Sequence, residues 1–178
     1  GTGGMEAGAA AAFFRAARRK PFPVRITVAG GPPPARGLGS SAVLRVGTLW
    51  GLNALCGKPL PAPRLLDLAI ALEGHPENAA ASVMGGLVAC AQTRFGMRVV
   101  RLEPPKGLVF VAAIPDRIQK TEAARRVLPK RIPFADAVHN TTHAAALVAA
   151  LGSGRLDLLP GLFDDRLHQP ARARLMTY

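Results

Sequence analysis

Aromatic side chains make up only 5% of this 178-residue sequence, with a single Trp and a single Tyr. Ala, Val and Leu must therefore fill most of any core. The same scarcity weighs against a module that reads single-stranded RNA, because such modules stack bases on exposed rings. Cysteine is almost absent: Cys56 and Cys90 stand far apart and form no CxxC pair. That excludes a disulfide scaffold and leaves two reduced core thiols of a cytosolic protein as the expectation. Long apolar runs are lacking too, since each is broken by Gly or is too short to cross a bilayer, and the start does not resemble a signal peptide. Acidic residues are few, 11 against 23 basic ones, for a net charge of +12 with Arg outnumbering Lys. Such a surplus favours anionic partners: nucleic acid, a membrane surface or phosphate-bearing substrates. Its longest block is only Arg18-Arg19-Lys20, so no polybasic tail is present and a scattered Arg-rich surface is the plain account.

What the chain does have is 49% hydrophobic residues, enough for one large domain or two small ones. An Ala-rich helix is expected over 7–19, stopped by Lys20-Pro21-Phe22-Pro23. Residues 24–29 alternate as a strand does. A nearly all-round apolar helix should run from Ser41 to about Cys56, buried, and end at Gly57-Lys58-Pro59. Further helices are expected over 64–73, 78–84, 121–128, 136–151 and 156–167, and strands over 87–91, 94–102 and 108–114. Pro104-Pro105-Lys106-Gly107 is the best boundary between two parts, 1–104 and 105–178. Strands and helices without regular alternation indicate α+β.

The densest chemistry lies in Pro34-Ala35-Arg36-Gly37-Leu38-Gly39-Ser40-Ser41-Ala42. Glycines permit positive φ and let bare N–H groups approach a ligand. Ser40 or Ser41 can cap the helix that follows, whose first turn presents unpaired donors and a positive dipole end. Phosphate is the usual occupant of such a site, although Gly-Leu-Gly-Ser also occurs in plain strand-to-helix turns.

Four further groups carry functional residue types. Glu73-Gly74-His75-Pro76-Glu77-Asn78 sets two carboxylates, an imidazole and an amide at a Gly/Pro-broken joint; His75 as a helix-end residue and Glu77 as a cap are the structural alternatives. One carboxylate plus one hydroxyl suits Mg²⁺, and Glu73 with Ser41 makes that pair if the fold brings the loop beside the joint. Thr121 and Arg125 share a helical face. Spacing alone favours a cap and a solvated charge there, the alternative being a clamp on a small carboxylate. Arg166 to Arg172 places several polar groups at a helix end. His139 and His143 are one turn apart, but no Glu follows His139 to complete a zinc-protease pattern.

In order along nearly the whole chain, four blocks resemble homoserine kinases of the GHMP small-molecule kinase superfamily. Pro33 to Ala42 resembles the phosphate loop PxxxGLGSSA. Glu73 to Asn78 followed by Gly85-Gly86 is similar to EGHPDN…GG. Ile114-Pro115 with Thr121 to Pro129 resembles P…STxxARxxLP, and Asp165 to Arg172 resembles DRLHQPYR. The fold the resemblance implies is α+β, a GHMP-kinase fold of two subdomains. The N-terminal part would share the ribosomal-protein-like GHMP N-domain, and the C-terminal part would be ferredoxin-like. The family's first motif, PATSANLGPGFD, has no counterpart, and its SGSGPT loop would follow Tyr178, so a chain cut at both ends is expected. Glu77 stands for the usual Asp, Ala171 for Tyr, and Gly30-Gly31 for bulkier residues.

The implied activity is transfer of the γ-phosphoryl group of ATP to the hydroxyl of L-homoserine, in threonine synthesis. Pro34, Arg36, Gly37, Leu38, Gly39, Ser40 and Ser41 would bind the nucleotide, and Ser41 and Glu73 would hold Mg²⁺. His75, Asn78, Thr121, Arg125 and Arg172 would surround homoserine, with Asn78, Thr121 and Arg125 closest to the chemistry. No base is assigned: Asn78 can orient a hydroxyl but cannot take its proton, and Glu77 is an acceptor only if turned inward. Expected partners are ATP and homoserine, with a homodimer as the candidate assembly, a cytoplasmic location, and neither nucleic acid nor membrane. The alternatives are another GHMP kinase and a basic RNA-binding module.

Overall fold

A computed structural model describes residues 4–114 and 121–175, with the side chains of Thr121, Glu122 and Ala123 left outside the description. The chain divides into two compact units, one reaching to Arg101 and the other starting at Leu102.

The first unit is four helices and a hairpin. Helix α1 (Met5–Ala16) is Ala-rich, which suits a helix, and carries Glu6 in its first turn and Arg15 in its last, each matching the helix dipole. Helix α2 (Ser40–Leu55) begins at the glycine loop. Helix α3 (Ala62–Glu73) has a Pro in its first turn and stops at Gly74, whose φ of 70° is open to a residue without Cβ. Helix α4 (Pro76–Met84) follows after one extended residue, His75. Strands β1 (Leu87–Thr93) and β2 (Gly96–Leu102) form a two-stranded sheet. Its turn is tied by Thr93, whose hydroxyl donates to the Gly96 carbonyl at 2.7 Å and accepts from the Phe95 amide at 3.1 Å. Together these elements give the α+β character.

Helix α2 sits centrally, packed on α1, α3 and α4, while α4 also meets β1. The core joins Phe13 and Phe14 of α1, Val46, Leu49 and Leu52 of α2, and Leu65 and Ala69 of α3. Helix α2 is not buried all round as its composition suggests. Val43 and Leu55 are exposed while Leu49 is fully buried, so its apolar residues serve one face more than the other. The polar core residue Asn53 is satisfied by the Leu60 backbone, donating to its carbonyl and accepting from its amide, each at 3.0 Å.

The second unit holds α5 (Thr121–Arg126), α6 (Phe134–Gly152), a 3-10 turn at Leu156–Leu158 and α7 (Gln169–Ala173). No strand occurs among its described residues beyond the end of β2, so the strands of a ferredoxin-like part are not among them.

Three sequence expectations need correction. Residues 24–29 are not a strand: alternation needs a partner ladder to become a sheet, none pairs with this segment among the described residues, and Val28 is exposed. Residues 108–114 likewise form no strand, and Val111 is 93% exposed. The helix expected over 156–167 shrinks to the 3-10 turn, because Pro160 lacks an amide for a helical ladder and Gly161 takes a φ of 84°. The chain changes unit at Arg101/Leu102, a little before the Pro-rich stretch expected to divide it.

Leu49 fills the centre of the first unit with no exposed surface. Leu49→Ala is expected to lower its stability by about 2–5 kcal/mol, measured by urea or thermal unfolding; a loss below about 0.5 kcal/mol would contradict this packing.

Candidate active site

The glycine loop ends in Gly39, the N-cap of α2, in a left-handed conformation (φ 71°) with no side-chain cap. The expected capping by Ser40 or Ser41 is therefore corrected: the glycine conformation makes the turn, and Ser41 is directed elsewhere. Gly37 also has positive φ, at 75°, with open space where a Cβ would stand. Its glycine serves the backbone angle rather than close packing. Ala35 has a φ of 56°, which costs a residue with a Cβ about 1–2 kcal/mol. The first helical bond of α2 runs from the Val43 amide to the Gly39 carbonyl at 3.1 Å. Among the described residues, no hydrogen bond engages the amides from Gly37 to Ala42. Arg36, which precedes them in the loop, has a buried Nη1 with no hydrogen-bond partner among the described residues. Unengaged amides at a helix start and an orphaned guanidinium nitrogen fit a phosphate group.

Ser41 Oγ donates to Glu73 Oε1 at 2.6 Å, so the fold does bring the loop beside the joint. Arg45 Nη1 donates to the other oxygen, Glu73 Oε2. The Glu73 side chain is only 6% exposed, and a carboxylate so buried must be paired. Asn78 lies on the same side: its Oδ1 is 4.0 Å from where a Cβ on Gly39 would stand. This proximity follows from the joint, since Gly74 and Pro76 end one helix and start the next with one residue between them. His75 Nδ1 is 4.0 Å from Glu77 Oε1, and the Glu77 side chain is 59% exposed. Burial, and then the charge of Glu77, push the Cys90 thiol up, which favours the protonated form of this free cysteine. Hydroxyl and carboxylate oxygens are the donors Mg²⁺ takes, with waters and substrate phosphates completing its shell. Ser41 and Glu73 therefore fit that ion.

In the second unit, Arg172 Nε donates to the Ala124 carbonyl at 3.2 Å. This ties α7 to α5 next to Arg125, which is exposed. Thr121 opens α5; its side chain, like Pro115 and Tyr178, lies outside the described residues. Asp165 accepts from the amides of Leu167 at 2.6 Å, His168 at 2.7 Å and Gln169 at 3.4 Å, and contacts His168 Nε2 at 2.5 Å. Burial pushes its carboxyl up, yet these amides and the nearby His168 hold it below the ordinary carboxylate range. His139 and His143 stack with ring centroids 3.7 Å apart, and His139 Nε2 lies 3.0 Å from Asp164 Oδ2. Among the described residues no group of three or more His, Cys, Asp or Glu could hold a metal.

Sequence reasoning missed Arg45 and the anchoring role of Asp165. Arg45 was legible as the single charged residue of α2. Asp165 was legible as an Asp preceding a run of amides at a turn.

Among known proteins, the family described as the GHMP kinases N terminal domain matches residues 6–86. The chain is 46% identical over 170 residues to a homoserine kinase of Moorella thermoacetica, covering 94% of this chain and 57% of that protein. A homoserine kinase of Deinococcus radiodurans is 43% identical over 162 residues, covering 91% and 52%. The crystal structure of homoserine kinase from Cytophaga hutchinsonii superposes with a TM-score of 0.69 at 29% identity, over 82% of this chain and 48% of that one. The chain spans about half the length of the curated relatives it matches.

Asp165 gives a pH prediction. Its folded pKa is depressed, so its stabilisation is complete above the unfolded carboxylate value of about 3.9 and is lost as pH falls through the folded value. The 165–173 segment is expected to loosen only below about pH 4. Asp165→Asn should remove that dependence, seen by following His168 in NMR spectra against pH. An unchanged acid transition in the variant would contradict the assignment.

Proposed function

We propose that this chain carries the nucleotide site and acceptor-binding residues of a kinase that moves the γ-phosphoryl group of ATP onto the side-chain hydroxyl of L-homoserine, in threonine synthesis. The observation that carries the reading is the Ser41–Glu73 contact set beside the unengaged amides of the glycine loop. Its nearest supports are relatives named homoserine kinase.

Phosphoryl transfer asks a protein for positioning and charge neutralisation more than covalent chemistry. Pro34, Arg36, Gly37, Leu38, Gly39, Ser40 and Ser41 would cradle the phosphates, with Arg36 adding a charge-assisted donor. Mg²⁺ held by Ser41 and Glu73 would neutralise charge on those phosphates. His75 and Asn78 would face the acceptor, Asn78 orienting its hydroxyl through the side-chain amide. Thr121, Arg125 and Arg172 would take the acceptor's carboxylate. We assign no base: an amide cannot accept the proton, and Glu77 extends toward solvent.

In this reading the two parts are an ATP-binding domain over 1–104 and a second domain over 105–178, working in the cytoplasm, with a homodimer as the proposed assembly. No helix among the described residues is long and apolar enough to cross a membrane. The RNA-binding alternative finds no support in the site, since Trp50 packs against the core. Calorimetry with a non-hydrolysable ATP analogue tests the proposal. Binding should require Mg²⁺, and L-homoserine should bind more tightly once the nucleotide is present. RNA affinity that collapses with added salt, without metal-dependent nucleotide binding, would overturn it. Glu73→Gln keeps the hydrogen-bonding shape but removes the charge, and is expected to weaken the metal-dependent binding about 10–100-fold. Asn78→Ala should lower turnover; undiminished turnover would remove Asn78 from the mechanism.

A further inference from the structure

Helix α2 carries one charged residue, Arg45, amid apolar neighbours. It lies one turn after Ser41, so the two side chains share a helical face, and both reach Glu73, where α3 ends. The two contacts divide the carboxylate: Ser41 Oγ takes Oε1 and the Arg45 guanidinium takes Oε2. With Glu73 only 6% exposed and Arg45 21% exposed, neither group is free to swing into solvent.

We propose that Arg45 sets the metal specificity of this site by restricting Glu73 to coordination through a single oxygen. The inference rests on the proposed function, in which Ser41 and Glu73 hold the metal. Mg²⁺ is bound at about 2.0–2.1 Å in a tight octahedron, keeps several waters, and is content with one carboxylate oxygen. Ca²⁺ takes six to eight oxygens at about 2.3–2.6 Å and readily uses both oxygens of one carboxylate. A guanidinium locked on Oε2 withholds the second oxygen, so the calcium mode is closed while the magnesium mode stays open through Oε1 and Ser41. Repulsion between Arg45 and a divalent cation is common to both ions, so it cancels in their ratio. Arg45 is thus a specificity-determining residue that acts through Glu73 and touches neither substrate nor metal.

The test is calorimetric titration of a non-hydrolysable ATP analogue into the chain with Mg²⁺ or with Ca²⁺. The unsubstituted chain should bind about tenfold or more tightly with Mg²⁺, the scale on which partners of a ligating group act. Arg45→Met, which keeps the aliphatic stem, should bring the two affinities close together, and Arg45→Lys, which keeps a cation on Oε2, should retain most of the preference. An unchanged ratio in folded Arg45→Met overturns the inference. Equal affinities with the two ions in the unsubstituted chain also overturn it, even if Arg45→Met fails to fold in thermal melting. Nucleotide binding that ignores the metal altogether overturns the functional reading, and this inference falls with it.

Discussion

A buried carboxylate at the end of a helix is a liability that has to be met on both oxygens, and Glu73 is met entirely from α2. That single requirement fixes much of the first unit. It sets the rotation of α2 about its axis, because Ser41 and Arg45 must both face α3. It also fixes how close the start of α2 comes to the joint, and so where the glycine loop stands relative to Asn78. Removing one partner of such a pair leaves the other uncompensated, typically at a cost of about 3–5 kcal/mol. The contact that aligns the site is therefore also a contact the fold depends on.

The joint itself is a backbone device. Gly74 closes α3 in a left-handed conformation and Pro76 opens α4 with its φ preset, leaving His75 alone to turn the chain. Glu73 falls on one side of this turn and Asn78 on the first turn of the next helix. Residues near in sequence are thereby spread along one side of the glycine loop instead of following one another round a helix.

The helices of the first unit were legible because their signals are local: an Ala-rich run stopped by prolines, an apolar run ended by Gly57 and Pro59, and the Gly74–Pro76 break. The segments 24–29 and 108–114 were not, because a strand is defined by its neighbour and alternation says nothing about whether one is present. The stretch 156–167 misled through composition: Leu-rich sequence favours a helix until Pro160 and Gly161 are weighed against it. In the site, the approach of Ser41 to Glu73 was foreseen because a hydroxyl and a carboxylate are donors that suit the same cation. The cap on α2 was assigned to a serine because hydroxyls usually fill that place, whereas Gly39 in the left-handed region frees Ser41 to reach Glu73. Arg45 escaped notice because the helix was judged by its apolar bulk, although one charge amid apolar neighbours is itself a sign of a paired partner.

The arginines of the second unit extend the same logic of charge. Arg172 spends only Nε on the Ala124 carbonyl, and a guanidinium has four further N–H donors in a planar fork. The anchored nitrogen holds the group in place, while its remaining donors have no protein acceptor among the described residues. Asp165, by collecting the amides of 167 to 169, sets the turn from which α7 and Arg172 start. In the proposed reading, the donors of Arg172 that would meet the acceptor's carboxylate are held in place by these backbone contacts.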